Sequence, residues 1–396
     1  MTDAVPGDAA AMRLHARPDP RVRLFLSLLR RSGWPSLAER TPRQARADFR
    51  VLAAATATRP LVDSVRDAWA DGSVRDIPVR VYRPRRRAAG PRPLVVYFHG
   101  GGFVVGDLFT VDGICRRLAN GSGATVVSVY YRRPPEHPLP AAHHDAVAAT
   151  RWALAHAAEL GADPHRLVVA GDSAGGALAA HVAQQLRDHG PHPAALQVLF
   201  HPATDLTLEQ TDRDPTLAQF LDWEAIDWFG VHSLPPEVDR RDPMISPFLA
   251  ADLSDLPPAH VLTAGIDAFR SDGIAYCAAL RRAGGTAEHR DFPGQIHGFV
   301  GMDLLFPAGR VAVREAAVRI AAVQPVPTHG EPQVPPADSI RWARGWAHRR
   351  RQIRDAAQLL PPVNGTALMS TLLERRIRST AARWGAAARL PRGGVR

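Results

Sequence analysis

Lysine is absent from this 396-residue chain; all 49 basic side chains other than histidine are arginine. A phosphate cradle of the P-loop kind, which ends in Lys-Ser/Thr, therefore cannot be built. Cysteine is scarce as well. Cys115 and Cys277 supply neither a disulfide framework nor a metal cluster, so no cofactor is called for and a reducing cytoplasm is the expected setting. No apolar run approaches the roughly 20 residues that a membrane helix needs. The opening residues, Met1-Thr2-Asp3-Ala4-Val5-Pro6-Gly7-Asp8, have neither the basic nor the apolar region of a secretory signal. Asn364-Gly365-Thr366 accordingly reads as an ordinary turn and not a glycan acceptor.

What is present in excess is positive charge, and it is concentrated at one end. The formal net charge is +10, and residues 325–396 carry 13 Arg against 4 acidic residues. Nine of the ten net charges thus belong to the last fifth of the chain, and the remainder is near neutral. That distribution argues against a nucleic-acid-binding core. The arginines of the tail are spread out and follow no known nucleic-acid-binding motif.

With 45% hydrophobic residues the chain suits one large α/β domain and an appendage. Residues 1–20 read as a loose N-terminus. Residues 21–31 have helical apolar spacing, and Thr41-Pro42 marks the start of a second helix reaching about residue 54. Strand-like and helix-like runs then alternate. Strands are expected at 74–82, 93–98, 125–131, 166–170, 196–200, 260–264 and 288–292, with helices at 114–119, 145–160, 177–186 and 312–322. Near-continuous apolar strands alternating with helices imply a mostly parallel sheet covered on both faces. Residues 205–255, with Phe220, Trp223, Trp228 and Phe229, interrupt this rhythm and read as an insertion over the sheet. A Pro-rich linker, 325–338, precedes a basic extension, 339–396, in which Trp342, Trp346, Ile353, Ala357 and Leu360 keep helical spacing, as do Met369, Leu372, Leu373, Ile377 and Trp384.

The chemistry centres on Gly171-Asp172-Ser173-Ala174-Gly175-Gly176, between the apolar run 167–170 and an Ala-rich helix. A serine flanked by glycines at a strand-to-helix turn is the pattern of a nucleophile elbow. A serine hydroxyl needs a histidine to take its proton and a carboxylate to orient that histidine. Candidates follow in the order Ser, Asp, His, each after a strand. Asp267 is nearer its strand end than Asp272, and His297 lies in a loop whereas His289 falls inside a strand. His99-Gly100-Gly101-Gly102-Phe103 directly follows the strand 93–98, and a glycine run there can turn backbone N–H groups toward one point. The alternative, a dinucleotide site, needs Gly-x-Gly-x-x-Gly spacing, which is missing.

These motifs, together with Tyr131-Arg132-Arg133-Pro134-Pro135-Glu136-His137-Pro138, Asp267-Ala268-Phe269-Arg270-Ser271-Asp272-Gly273 and His297-Gly298-Phe299, occur in an order that resembles the hormone-sensitive-lipase-like (bacterial family IV) carboxylesterases of the α/β-hydrolase fold. The resemblance spans roughly residues 20–322. It implies Ser173 as nucleophile, His297 as general base and Asp267 as its orienter, with an oxyanion hole from the N–H groups of Gly101, Gly102 and Ala174. His99, Gly100, Phe103, Gly171, Asp172 and Gly175 would support these. It also implies a hydrolase domain over 21–324 whose cap is drawn from 21–55 and 205–255, no cofactor, and a small-molecule ester of short to medium acyl length as substrate. The chain departs from the family at Arg133-Pro134 and Ser271-Asp272, where Leu-Ala and Asp-Glu are usual. The same triad could serve an amide or N-acetyl deacetylase. A non-catalytic ligand-binding protein of this fold would have lost the histidine that is present here. The oligomeric state stays open, with a homodimer among the options, and the basic tail admits a weak contact with an anionic membrane surface.

Overall fold

The computed structural model describes residues 17–85, 90–189, 193–211, 214–327 and 339–343. The postulated loose N-terminus up to residue 16, most of the Pro-rich linker and the extension beyond 343 lie outside the described residues.

Among the described residues two helices come first, α1 (Pro20–Arg31) and α2 (Pro42–Thr56). Each has Pro in its first turn, where no N–H is needed. Asp19 caps α1. Thr41 caps α2 in a capping box with Gln44, the Gln44 side chain accepting from Thr41 N–H at 3.0 Å. There follow β1 (Ser64–Ala70), β2 (Ile77–Arg83), β3 (Arg92–Phe98), α3 (Asp112–Ser122), β4 (Thr125–Val129), α4 (Ala141–Ala155), α5 (Ala157–Leu160) and β5 (Ala162–Asp172). Next come α6 (Ala174–His189), β6 (Leu196–Phe200), α7 (Trp223–Ser233), β7 (Ala259–Ile266), α8 (Arg270–Arg282), β8 (Ala287–Ile296), α9 (Pro307–Ala321) and β9 (Arg341–Trp342).

Among the described residues the strands form one nine-stranded sheet in the order β8-β7-β6-β5-β3-β4-β2-β1-β9. From β8 to β4 neighbours run parallel, whereas β2, β1 and β9 add antiparallel pairings. Alternation at period two divides each central strand between two cores. Leu94, Val96 and Phe98 of β3 face a core shared with α4, α6 and α8. Val95 and Tyr97 face the other, shared with α1, α3 and α9. Both faces are covered, which is why the strands read as continuous apolar runs.

Three expectations need correction. Residues 74–82 are not one extended segment: residues 73–75 are a bend, the strand starts at Ile77, and a further strand, β1, escapes the sequence reading because its Ser64, Arg66 and Asp67 look solvated. The strand over 288–292 continues to Ile296, so Pro293 lies inside it. β8 is an edge strand, where a missing N–H costs little. Trp342 does not open a helix. It pairs with Ala68 on the outer edge of β1, with the Arg66 guanidinium 3.7 Å over its ring. An open strand edge offers ladder partners that helical spacing in the sequence does not reveal.

Above the sheet, Ala45 of α2, Trp228 of α7 and Val104 and Val105 of the loop after β3 form a small separate core. Trp228 Nε1–H donates to the Arg40 carbonyl at 2.9 Å, tying α7 to the segment before α2.

Candidate active site

Five neighbouring parallel strands, β3 and β5 to β8, end on the same side of the sheet, and the loops leaving them converge. Ser173 follows β5 at φ 56°, in the left-handed region that side chains normally avoid. The flanking glycines make this turn sterically feasible. A Cβ on Gly171 would lie 2.1 Å from the Gly175 carbonyl oxygen, and one on Gly175 would lie 2.1 Å from that of Phe98. Ser173 N–H donates to the Phe200 carbonyl at 2.9 Å, which ties the turn to the end of β6.

His297, on leaving β8, places Nε2 2.8 Å from Ser173 Oγ and Nδ1 2.7 Å from Asp267 Oδ2, just past β7. An ionised carboxylate only accepts, so Nδ1–H donates to Asp267 and Nε2 is left to accept from the serine hydroxyl. The Asp267 side chain is wholly buried, and its Oδ1 accepts from Phe269 N–H at 3.0 Å. Ser173 and His297 are each less than a tenth exposed.

The other carboxylate in the loop, Asp272, points elsewhere. Its Oδ2 accepts from the N–H groups of Thr204 and Asp205 at 2.7 and 3.1 Å, and the Thr204 hydroxyl donates to Oδ1. Burial pushes its carboxyl up to about 7. It ties the loop after β6 to the start of α8. His289 is likewise remote, with Nε2 2.8 Å from Thr263 Oγ1.

The glycine loop after β3 is held from below. His99 is buried and stacked on Tyr131 at 4.1 Å, and burial pulls it down to about 4, so the ring is neutral. Its Nδ1–H donates to the Gly100 carbonyl at 2.9 Å, and Tyr131 O–H donates to the His99 carbonyl at 2.7 Å. Asp172, whose carboxyl burial raises, accepts from Tyr97 O–H at 2.8 Å and from Gly100 N–H. The Gly101 carbonyl is taken by the N–H groups of Val104 and Val105 at 3.0 and 2.9 Å. Gly101 and Gly102 sit at φ 118° and 54°. A Cβ on Gly102 would fall 2.2 Å from the Phe229 ring, so a side chain from α7 lies directly against this loop. Phe103 packs away from it, 5.6 Å from the buried ring of His143.

Phe229 comes from the aromatic insertion over 205–255 that the sequence marks. One residue of the site carried no signal: His201, buried after β6 with its ring 4.5 Å from that of His297 and no hydrogen bond at either ring nitrogen. Burial and the neighbouring His297 hold it well below the usual imidazole range. The signal that could have found it is its place just past the carboxyl end of a parallel strand, the same place occupied by Ser173, Asp267 and His297. Donor atoms of His201, Asp267 and His297 lie within 4.8 Å of one another, the one grouping of metal-ligand type found among the described residues. Asp267 and His297 are already hydrogen-bonded to each other, as a triad requires and a metal site does not.

A family model described as alpha/beta hydrolase fold matches residues 95–301. Esterase LipI of Mycobacterium tuberculosis is 42% identical over 266 residues, covering 65% of this chain and 81% of that protein. Ethyl acetate hydrolase of Pseudomonas putida is 37% identical, covering 57% and 72%. Among solved structures, an ester hydrolase from the metagenome of Lake Arreo, complexed with a bipyridine phosphonate derivative, superposes with a TM-score of 0.74. It is 40% identical, over 77% of this chain and 98% of that one.

Proposed function

The chain belongs to the hormone-sensitive-lipase-like branch of the α/β-hydrolase family, and on that premise we propose that it is a carboxylic ester hydrolase working through an acyl-enzyme on Ser173. The observation that carries this reading is the unbroken hydrogen-bond series from Ser173 Oγ through His297 to Asp267, with links of 2.8 and 2.7 Å.

In the first half-reaction Ser173 Oγ attacks the ester carbonyl carbon as its proton passes to His297 Nε2. Asp267 stays ionised and stabilises the imidazolium that forms. The carbonyl oxygen, now an oxyanion, takes hydrogen bonds from the N–H groups of Gly101, Gly102 and Ala174. Ala174 opens α6, where N–H groups lack intrahelical acceptors and the helix dipole favours negative charge. The alcohol leaves with the proton from His297, and Ser173 holds the acyl group as an ester. Water then attacks that ester, giving a proton to His297. Collapse releases the acid and returns the proton to Ser173 Oγ.

We assign the cap to residues 21–55 and 205–255, supported by the packing of α2 and α7 on the loop after β3. The Phe229 ring against Gly102 favours acyl groups of short to medium length. Cys115 and Cys277 are both free and buried, in keeping with a reducing compartment. Hydrolysis of p-nitrophenyl acetate and butyrate tests the reading. Turnover of both, abolished to within background by Ser173→Ala, is expected. Absence of turnover by the wild type, or full activity of the variant, refutes it.

A further inference from the structure

We propose that the outward face of α1 docks on an anionic lipid bilayer. α1 turns Val22, Phe25 and Leu26 into the core, with Phe25 packed 5.8 Å from Phe220 and 5.6 Å from Phe306. The opposite face is not the polar face that such a helix normally presents. Residues 21, 24, 28 and 31 share one side at helical spacing, and they are Arg21, Leu24, Leu28 and Arg31. Leu24 is 61% exposed and Leu28 44% exposed, and Trp34, just past the helix end, is 42% exposed.

The charges are one-sided as well. The helix holds four arginines, Arg21, Arg23, Arg30 and Arg31, all exposed, and no Asp or Glu. Arg30 and Arg31 suit the negative end of the helix dipole. Arg21 and Arg23 stand at its positive end, where a cation disfavours the helix, so helix stability does not account for them. Two exposed leucines one turn apart, a tryptophan at the margin and a rim of guanidinium groups fit an interface of acyl chains beneath anionic headgroups. The docking face is separate from the Ser173–His297–Asp267 series and does not depend on the esterase reading.

The full chain is tested by sedimentation with vesicles of phosphatidylcholine containing about a third phosphatidylglycerol, and with phosphatidylcholine alone. Binding to the anionic vesicles and much weaker binding to the neutral ones is expected. Leu24→Glu/Leu28→Glu should weaken it at least tenfold. Arg23→Gln/Arg30→Gln should weaken it by roughly fivefold per arginine and flatten its salt dependence. Both variants should keep the circular-dichroism spectrum and the Tm of the wild type, which verifies folding. Wild type that ignores anionic vesicles overturns the proposal. So does a leucine variant that binds as well as wild type, because the substitutions leave the arginine-rich tail intact and that tail would then be the anchor. A wild-type dimer that ignores vesicles and dissociates in the leucine variant overturns it too, by making a second copy the occupant.

Discussion

Ser173 holds a left-handed backbone, φ 56°, at a cost of roughly 1–3 kcal/mol for such a conformation. The return on that strain is position: its Oγ stands at the head of α6 within reach of His297, beside the glycine loop. Around it the residues differ sharply in what their loss should do. Asp267→Asn keeps the size of the side chain but presents His297 with an amide that can act as a donor, and so favours the wrong tautomer. A loss of about 10⁴ in kcat is expected, measured with p-nitrophenyl acetate, with the fold intact by circular dichroism. Asp272→Asn, five residues on, disturbs only the tie to Thr204 and Asp205, and kcat should stay within about tenfold of wild type. Equal losses in the two variants would contradict the separate duties given to these carboxylates. The sequence alone ranked them by distance from the strand end. The direction of each side chain, set by the turn into α8, was beyond its reach.

At the scale of elements, the glycine loop after β3 and helix α7 act as a unit. Removing the Phe229 ring should open space beside Gly102. Phe229→Ala is expected to shift the ratio of kcat/KM for octanoate over acetate esters upward by roughly tenfold, the worth of one or two methylenes in an apolar pocket. An unchanged ratio would place the acyl group elsewhere. Most elements were legible in the sequence, because their signals are local. Thr41-Pro42 marked α2, and unbroken apolar runs marked β3, β6 and β7. What escaped depended on distant partners. β1 is half solvated and gains its identity from β2. β9 exists because β1 has an open edge. His201 reaches the site only through packing across the sheet end, which no spacing encodes; the aromatic insertion holding Phe229 was legible, but not the contact of that ring with Gly102.

For the whole molecule, the histidines buried near the site make stability depend on pH. Burial holds His99 and His181 at about 4 and His143 and His201 well below the usual imidazole range. Each is neutral when folded and takes up a proton when unfolded below about 6.5. Stability from these groups is therefore complete above 6.5 and is lost as pH falls toward about 4, by up to about 1.4 kcal/mol per unit for each. Asp272, raised to about 7, works in the opposite sense between its unfolded value and 7, and Asp172 adds to it. Burial also lowers His260 and raises Asp48; five histidines outweigh three carboxylates, so the Tm should fall between pH 7 and pH 5, and a flat or rising Tm would contradict these assignments. The central claim, that Ser173 takes the acyl group, is tested most directly by intact-mass and peptide mapping after exposure to diethyl p-nitrophenyl phosphate. One diethylphosphoryl adduct per chain, on the peptide containing Ser173 and formed in step with loss of esterase activity, is the predicted result. Modification of another residue with parallel loss of activity, or continued hydrolysis by a fully phosphorylated Ser173, would contradict it.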